Sequence, residues 1–505
     1  MVIATMASDI GLSSTGADQT ATASALRSWK EPYSVKVKQL EGRSATFPTL
    51  QSFSAGHTSD GQWLLLGGRT NGLHKFTPNS KKNFPAAHQN SRVWVYDPKL
   101  DRSWSRSLAQ SGLNTSKQLS LSTTNAQQLQ QGEVLFRVGG YVYDAANQTF
   151  STRNRLSAIN IDNLAAWAKR ETKRVPKQTV LSVAGEAMQV NKQQTHFFAV
   201  TGGELLAGEQ SNQALLTFGQ DFQGGYTFGS NGIYTEQVRN FSILYDPKKG
   251  KLDYKVNSVS APDQSRYHRR DLNIVNQLQI GKNGELVRQG LALGGVFYKG
   301  EGVYTVPAEI DLLTGEPTMT DANNKSTFRQ AVNQYSAANL GLYSRSKDEQ
   351  TNLIFGGISA VILNPQGDPY YVNPDGDPNL AFSYPFTSQI AALKHKADGN
   401  WKQSLAGSFP SLKNAQGQSL TYGASSAFMP LAEGEDKRVS YLADGILDLD
   451  RLRSLSEPGA PVHVGYVVGG IESQVADNFN DLSTYGNSNY TVASGEIFKV
   501  FITPS

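Results

Sequence analysis

The densest group of side chains able to hold an anion is the run SRYHRRD, which carries Arg266, His268, Arg269 and Arg270. An arginine fork grips a carboxylate, sulfate or phosphate through two parallel N–H bonds, so this cluster could select an acidic sugar or an acidic peptide. The competing reading is a solvated loop in which the same cations pair with Asp263 and Asp271. Aromatic rings interleaved with Asn and Gln supply a second chemistry. They include His74, Phe76, Tyr141, Tyr143, Phe222, Tyr226, Tyr234, Tyr298, Tyr371, Tyr384 and Tyr485. A flat ring with a hydroxyl tip matches the alternating apolar and hydroxylated faces of a sugar, although any single ring can equally pack a loop onto a scaffold. The ligand-binding candidates are therefore His74, Tyr141, Tyr143, Tyr226, Arg266, Arg269, Arg270, Tyr298, Tyr371, Tyr384 and Tyr485.

Metal and catalytic chemistry are constrained more by what the residues omit. In NPDGDPN, Asp375, Asp377 and Asn379 alternate at the spacing with which oxygen ligands wrap calcium, and Asp368 is close. Leu380 and Phe386 stand where an EF-hand needs Gly and a bidentate Glu, leaving a plain turn or a non-EF calcium site. Ca2+ is thus the one cofactor the sequence suggests. The seven histidines show no HxH or HxxxH pair, and the chain has no cysteine, which removes thiolate nucleophiles, disulfides and Cys-ligated zinc. No nucleophile elbow, P-loop or dinucleotide fingerprint is present; QGGYTFGSNG lacks the lysine and the following helix that phosphate binding requires. An acid–base reaction needs only a positioned carboxylate or imidazole, for which His74, Asp221, Glu301, Asp375 and Glu472 are unranked candidates.

The elements that would position these groups repeat. A short apolar strand ending in Gly-Gly recurs six times: WLLLGG at Gly68, VLFRVGG at Gly140, LLTFGQ at Gly219 as a copy that has lost its second glycine, GLALGG at Gly295, NLIFGG at Gly357 and GYVVGG at Gly470. Adjacent glycines permit positive φ and close approach of a neighbouring backbone. The additional pair Gly202–Gly203 comes too early in its block and is assigned to a first-strand turn. Inner strands are expected in LQSFSAGH, LSLSTTNA, THFFAVT, LNIVNQLQI, QYSAANLGLY and TYGASSAFM. Third strands are expected in RVWVYDP, RLSAINID, FSILYDP, AEIDLLTG, SQIAALKH and EIFKVFI, with Trp104, Tyr254 and Trp401 on outer strands. Helices are expected in DNLAAWAKRETKR from Asp162 and in LADGILDLDRLRSL from Leu442.

The order Gly-Gly, Tyr-Asp-Pro, Trp, complete at Gly67, Gly68, Tyr96 and Trp104, resembles the kelch repeat. The resemblance implies an all-β, six-bladed kelch-like β-propeller with two short helical insertions, its ring closed by an N-terminal strand, YSVKVKQL, that completes the last blade. The expected organisation is a flexible leader over 1–30 and one propeller over 31–505, with blades near 48–115, 116–187, 190–260, 268–322, 330–410 and 415–505 plus 33–40. In that architecture the long second-to-third connections, near 69–91, 220–239, 358–387 and 471–495, open on one face. Kelch-like propellers include copper-radical oxidases, sialic acid mutarotases and many adhesion and scaffold modules, so fold resemblance does not select a function. The oxidase chemistry requires a cysteine bonded to the radical tyrosine, which this chain lacks.

Composition agrees with short strands and many turns: 47 Gly and only 18% charged residues. The net charge of +4 is thinly spread with no basic tract, which speaks against nucleic acid as a partner, and no segment is apolar enough to span a bilayer. The favoured function is a non-catalytic recognition module that binds a glycan or a protein through its long loops. Its expected setting is bacterial: extracellular, at the cell surface or periplasmic. The alternatives are a carbohydrate-active enzyme, such as a sugar mutarotase or epimerase, and a structural subunit of a larger assembly.

Overall fold

The computed structural model describes residues 31–40, 47–227 apart from 76 and 78, 232–298, 302–359 apart from 335, 361–364, 368–371, 386–474 and 491–505. The expected leader over 1–30 and the candidates Asp375, Asp377, Asn379, Tyr384, Tyr485 and Glu301 lie outside these residues. Strands dominate, and they form two compact units: Gly42–Asp271 with Asp311–Pro317, and Met1–Glu41 with Leu272–Ile310 and Thr318–Ser505.

The first unit contains three antiparallel sheets whose four strands follow in chain order from one edge to the other. Sheet one comprises Ser54–His57, Trp63–Leu66, Arg92–Asp97 and Arg102–Ser107. Sheet two comprises Gln127–Gln131, Val134–Val138, Leu156–Asn160 and Val180–Val183. Sheet three comprises Glu204–Ala207, Gln213–Thr217, Val238–Asp246 and Lys251–Val259. In the second unit, Asn273–Ile280, Leu286–Leu293 and Ala308–Ile310 pair in order, as do Ala338–Ser344, Glu349–Phe355, Gln389–His395 and Trp401–Ser408. Its last sheet runs Ala427–Pro430, Val462–Val468, Ile497–Pro504 and then Tyr33–Gln39, which lies antiparallel to the C-terminal strand from Tyr33 opposite Pro504 to Gln39 opposite Phe498.

The second strands of the first unit are buried along their whole length, as WLLL at Trp63–Leu66 and QALLT at Gln213–Thr217 show. Covered on both faces, they read as continuous apolar runs without the alternation of a half-exposed strand. The turn that ends each of them forces a close approach. Gly67 and Gly139 sit at φ of 63° and 63°, and a Cβ on either would fall inside the van der Waals shell of a backbone carbonyl, that of Thr123 or Val200 respectively. The following amides use the same carbonyls: Gly68 N–H donates to Thr123 O at 3.0 Å and Gly140 N–H to Val200 O at 2.8 Å. In the third copy Gly219 N–H donates to Arg269 O at 3.0 Å, so Gly219 occupies the second position of the turn. The glycine lost from LLTFGQ is therefore the first and not, as expected, the second; Phe218 replaces it at φ 54° with its ring stacked on Tyr267. The extra glycine Gly203 explains how the turn still fits: a Cβ there would lie 2.5 Å from Thr217 O and 2.7 Å from Phe218 O.

Inner strands leave one row of backbone groups without a ladder partner. Side-chain amides take that place. Gln130 accepts from His57 N–H at 2.8 Å and donates to His57 O at 2.9 Å, while Gln128 accepts from Ala55 N–H at 2.9 Å. In the second unit Gln350 does the same for Leu278 N–H and Asn276 O, and Leu447–Asp448 pairs in parallel with Ala338–Ser344.

Three inner strands differ from expectation. LSLSTTNA does not form one: Asn114 caps a helix over Thr115–Leu121 by accepting from Lys117 N–H, and the inner strand is Gln127–Gln131. THFFAVT gives Thr195 and His196 to a hairpin, Ala187–Val190 with Gln193–His196, and Ala199 and Thr201 to isolated bridges with Asn154 and Gln220, so Gly202–Gly203 precede the inner strand Glu204–Ala207. TYGAS joins a separate sheet with Ile471–Ser473, leaving Ala427–Pro430 as the inner strand. The two expected helices form at Ile161–Ala168, capped by Asn160, and Leu449–Ser454, capped by Asp448. Short helices at Ser80–Asn83 and Gln264–Tyr267 were not anticipated by periodicity, being a single turn each.

Gly139→Ala is expected to cost about 2–4 kcal/mol of unfolding free energy, combining the positive-φ penalty with a carbonyl collision. Gly132→Ala, at φ 56° with open space around it, is expected to cost about 1 kcal/mol, so urea denaturation of the pair isolates the close approach. A second expectation concerns the N-terminal strand. Lys394 Nζ lies 2.5 Å from Glu349 and 3.4 Å from Glu31, and burial pushes the Glu31 carboxyl up to about 7 against the pull of Lys394. A raised carboxylate favours the folded state at low pH, and that contribution is lost as pH rises through 7. Amide protection of residues 33–39, corrected for intrinsic exchange, should fall between pH 5.5 and pH 8, and Glu31→Gln should flatten the change.

Candidate functional site

The second-to-third connections of the first unit bring several candidates together. Arg69 follows the first diglycine, pairs by a bridge with Gln51, and is almost fully buried. Its Nη2 donates to Pro85 O at 2.8 Å and its Nε to Asn71 Oδ1 at 3.0 Å, which sets the guanidinium 4.9 Å above the Phe84 ring. Tyr141 stands at the same place after the second diglycine, opposite Thr124. It opens the ribbon Tyr141–Asp144 with Thr149–Thr152, and its hydroxyl donates to Gly224 O at 2.5 Å. Tyr143 in that ribbon donates its N–H to Gln89 Oε1 at 2.7 Å. Gln220, after the third turn, begins a ribbon with Ile233–Tyr234.

Rings from these three segments form one cluster. His74 stacks on Phe84 at 5.0 Å and meets Tyr226 edge-on at 4.6 Å. Phe84 touches Tyr141 at 5.6 Å, Tyr141 stacks on Phe150 at 5.2 Å, and Phe222 links Tyr141 to Tyr226. Asn83 ties the first segment to the third by donating to Tyr226 O at 2.8 Å. Tyr141, Phe150 and Phe222 are buried, whereas His74, Phe84, Tyr143 and Tyr226 are half-buried. Burial pushes the His74 imidazole down to about 3, helped by Arg270 and Arg69, so it is a neutral ring at physiological pH and a poor proton carrier.

The basic run divides into separate roles. Arg266 points to Asp263 at 2.6 Å, the solvated pairing weighed above, and Asp263 caps the short helix. Arg269 is fully buried and donates from Nε to Arg266 O at 3.0 Å, which makes it part of the scaffold. Arg270 joins the aromatic cluster, 6.0 Å from the Tyr226 ring and 5.8 Å from Tyr234, with Asp271 at 3.6 Å. His268 lies flat on Tyr234, ring centroids 3.7 Å apart, with Nδ1 2.5 Å from Glu236 Oε1. Of the candidates, the structure thus unites His74, Tyr141, Tyr143, Tyr226 and Arg270, and separates Arg266 and Arg269 from them.

Tyr298 and Tyr371 fall in two further ribbons, Val296–Tyr298 with Gly302–Val303 and Val361–Leu363 with Pro369–Tyr371, both in the second unit. Asp221 is buried, accepts from Thr195 Oγ1 at 2.7 Å and Gln223 Nε2 at 2.5 Å, and is raised by desolvation. Glu472 accepts from Ser494 Oγ at 2.5 Å. Among the described residues no three His, Asp or Glu side chains gather to hold a metal, and no helix is long and apolar enough to cross a membrane. Arg69, Phe84, Phe150, Glu236 and Asn191 were missed by the sequence reading. A positional signal existed for Arg69 alone, since it follows the diglycine as Tyr141 does.

His74→Phe should lower the denaturation midpoint less than Asn83→Ala, because a neutral ring replaces a neutral ring and only the Nδ1 bond to Lys75 O is lost, whereas Asn83→Ala should cost about 1–2 kcal/mol through the lost Tyr226 and Thr77 bonds.

No family model matches the chain, and no curated protein matches it. A solved structure titled "Structure of YjhT" is similar over 91% of this chain and 98% of that one, with 10% sequence identity and a TM-score of 0.41.

Proposed function

We propose that the chain is a single six-bladed, kelch-like propeller that serves as a recognition module, holding a glycan through the connections between second and third strands. The architecture is supported by six sheets in each of which the first three blade strands pair antiparallel in chain order, five with a Gly-Gly turn and one with Phe218–Gly219, and by the pairing of Tyr33–Gln39 with the C-terminal strand. The glycan reading rests on one observation: four half-buried rings, His74, Phe84, Tyr143 and Tyr226, belong to one packed cluster, with the backbone of Tyr226 tied to Asn83 and that of Tyr143 to Gln89, beside Arg69 and Arg270. Rings held rigidly before a ligand arrives lose little freedom on binding, and their faces suit the apolar side of a sugar. Arg270 places positive charge beside the rings, which favours an acidic sugar.

The full chain on an array of neutral and acidic glycans is expected to bind a defined subset, with Tyr226→Ala and Arg270→Gln each weakening binding about tenfold or more, roughly 1.4 kcal/mol. Absence of glycan binding, or variants that bind as wild type does, would remove this reading in favour of a protein partner or an assembly subunit.

A further inference from the structure

Arg239 stands second in the strand Val238–Asp246 and is wholly buried. Its Nη1 donates to His196 O at 3.1 Å and to Phe197 O at 2.7 Å, which joins the strand to the base of the hairpin Ala187–Val190 with Gln193–His196. Its Nε and Nη2 are buried with no acceptor among the described residues. Those two nitrogens form the edge of a guanidinium whose N–H bonds run parallel, the edge that grips an anion through two bonds at once. Burial pushes the group down to about 10, with Asp221 opposing, so it carries its charge at neutral pH. Asp221 does not supply the acceptor. Its Oδ2 accepts from Thr195 Oγ1 and its Oδ1 from Gln223 Nε2, neither oxygen bonds to Arg239, and burial raises its carboxyl.

A charged group taken out of water is costly unless something in the interior replaces the lost hydration, and main-chain carbonyls do so here for Nη1 alone. We propose that the Nε and Nη2 edge of Arg239 is a binding site for a small monovalent anion of the size of chloride. The buried position selects for size. A chloride ion accepts both N–H bonds and brings nothing else with it, whereas a sugar acid or an acidic peptide would have to carry its skeleton into the interior. The site is therefore separate from the ring cluster and independent of the glycan reading. A bound anion neutralises Arg239 where it holds His196 and Phe197, and so secures the hairpin whose Asn191 reaches Glu236. Asp221 competes with that anion, because it offers negative charge to the same guanidinium.

The test measures the thermal midpoint of the full chain in sodium chloride and in sodium gluconate at equal ionic strength, with no glycan present. A saturable rise of about 2 °C is expected once chloride is about a hundredfold above its dissociation constant. Arg239→Met should abolish the chloride dependence. Asp221→Asn, which removes the competing charge, should lower the chloride concentration for half the rise about threefold or more. Crystals of the wild-type chain soaked in bromide should show an anomalous peak within hydrogen-bond distance of Arg239 Nε and Nη2. No saturable rise, or a rise that survives Arg239→Met, overturns the site and leaves Asp221 as the counter-charge. An unchanged or raised half-point in Asp221→Asn shows that Asp221 and chloride do not compete for Arg239, and overturns it also. Should Arg239→Met fail to fold, the bromide map decides: a peak at Nε and Nη2 supports the site, and its absence there overturns it. None of these outcomes bears on glycan binding, so the two readings fail separately.

Discussion

The contact between a glycine turn and a passing carbonyl organises the first unit. Each second strand ends where the chain entering the next inner strand crosses it, so closely that Gly67 and Gly139 have no room for a Cβ. The amide one residue later donates to the carbonyl that would have been struck, at Thr123 and at Val200. Sterics and hydrogen bonding are thus satisfied by one atom. The residue after the turn leaves it in a fixed direction, which is why Arg69, Tyr141 and Gln220 begin segments that meet.

Polar side chains complete what the turns begin. Arg137 is buried and donates to Ser54 Oγ at 2.9 Å and Ser120 O at 2.9 Å, bridging sheets one and two. Gln128 and Gln130 satisfy the unladdered edge of Ser54–His57. Leaving such groups unpaired in the interior would cost several kcal/mol each, so these amides specify how neighbouring sheets meet as well as holding them. Apolar packing then fills the space, with Leu64, Leu66, Val93 and Val95 against Leu135 and Ile159 and the Ile161–Ala168 helix in the first unit.

The ring cluster inherits this rigidity. His74, Phe84, Tyr141 and Tyr226 arrive from three different connections and are locked by bonds to backbone, Asn83 to Tyr226 O and Tyr141 to Gly224 O among them. Rings placed in advance lose little freedom on binding, and here the placement is done by main-chain geometry. His268 and Glu236 lie at the same margin, each reached through a residue at positive φ or a one-turn helix.

The glycine turns, second and third strands and two capped helices were legible in the sequence because each depends on local rules. These rules are continuous apolar burial, positive φ and an Asn or Asp at a helix start. The inner strands of the second, third and sixth sheets were not, because short segments such as Gln127–Gln131 carry little periodicity and owe their conformation to the strand beside them. Arg266, Arg269 and Arg270 look alike in a row; only packing decided that one faces Asp263, one is buried in the scaffold and one meets Tyr226. The pairing of His268 with Glu236, 32 residues away, and of Asn191 with the same carboxylate, 45 residues away, depends on sheet geometry that no spacing encodes. Local chemistry thus determined the repeating elements, and the third dimension decided which side chains share a site.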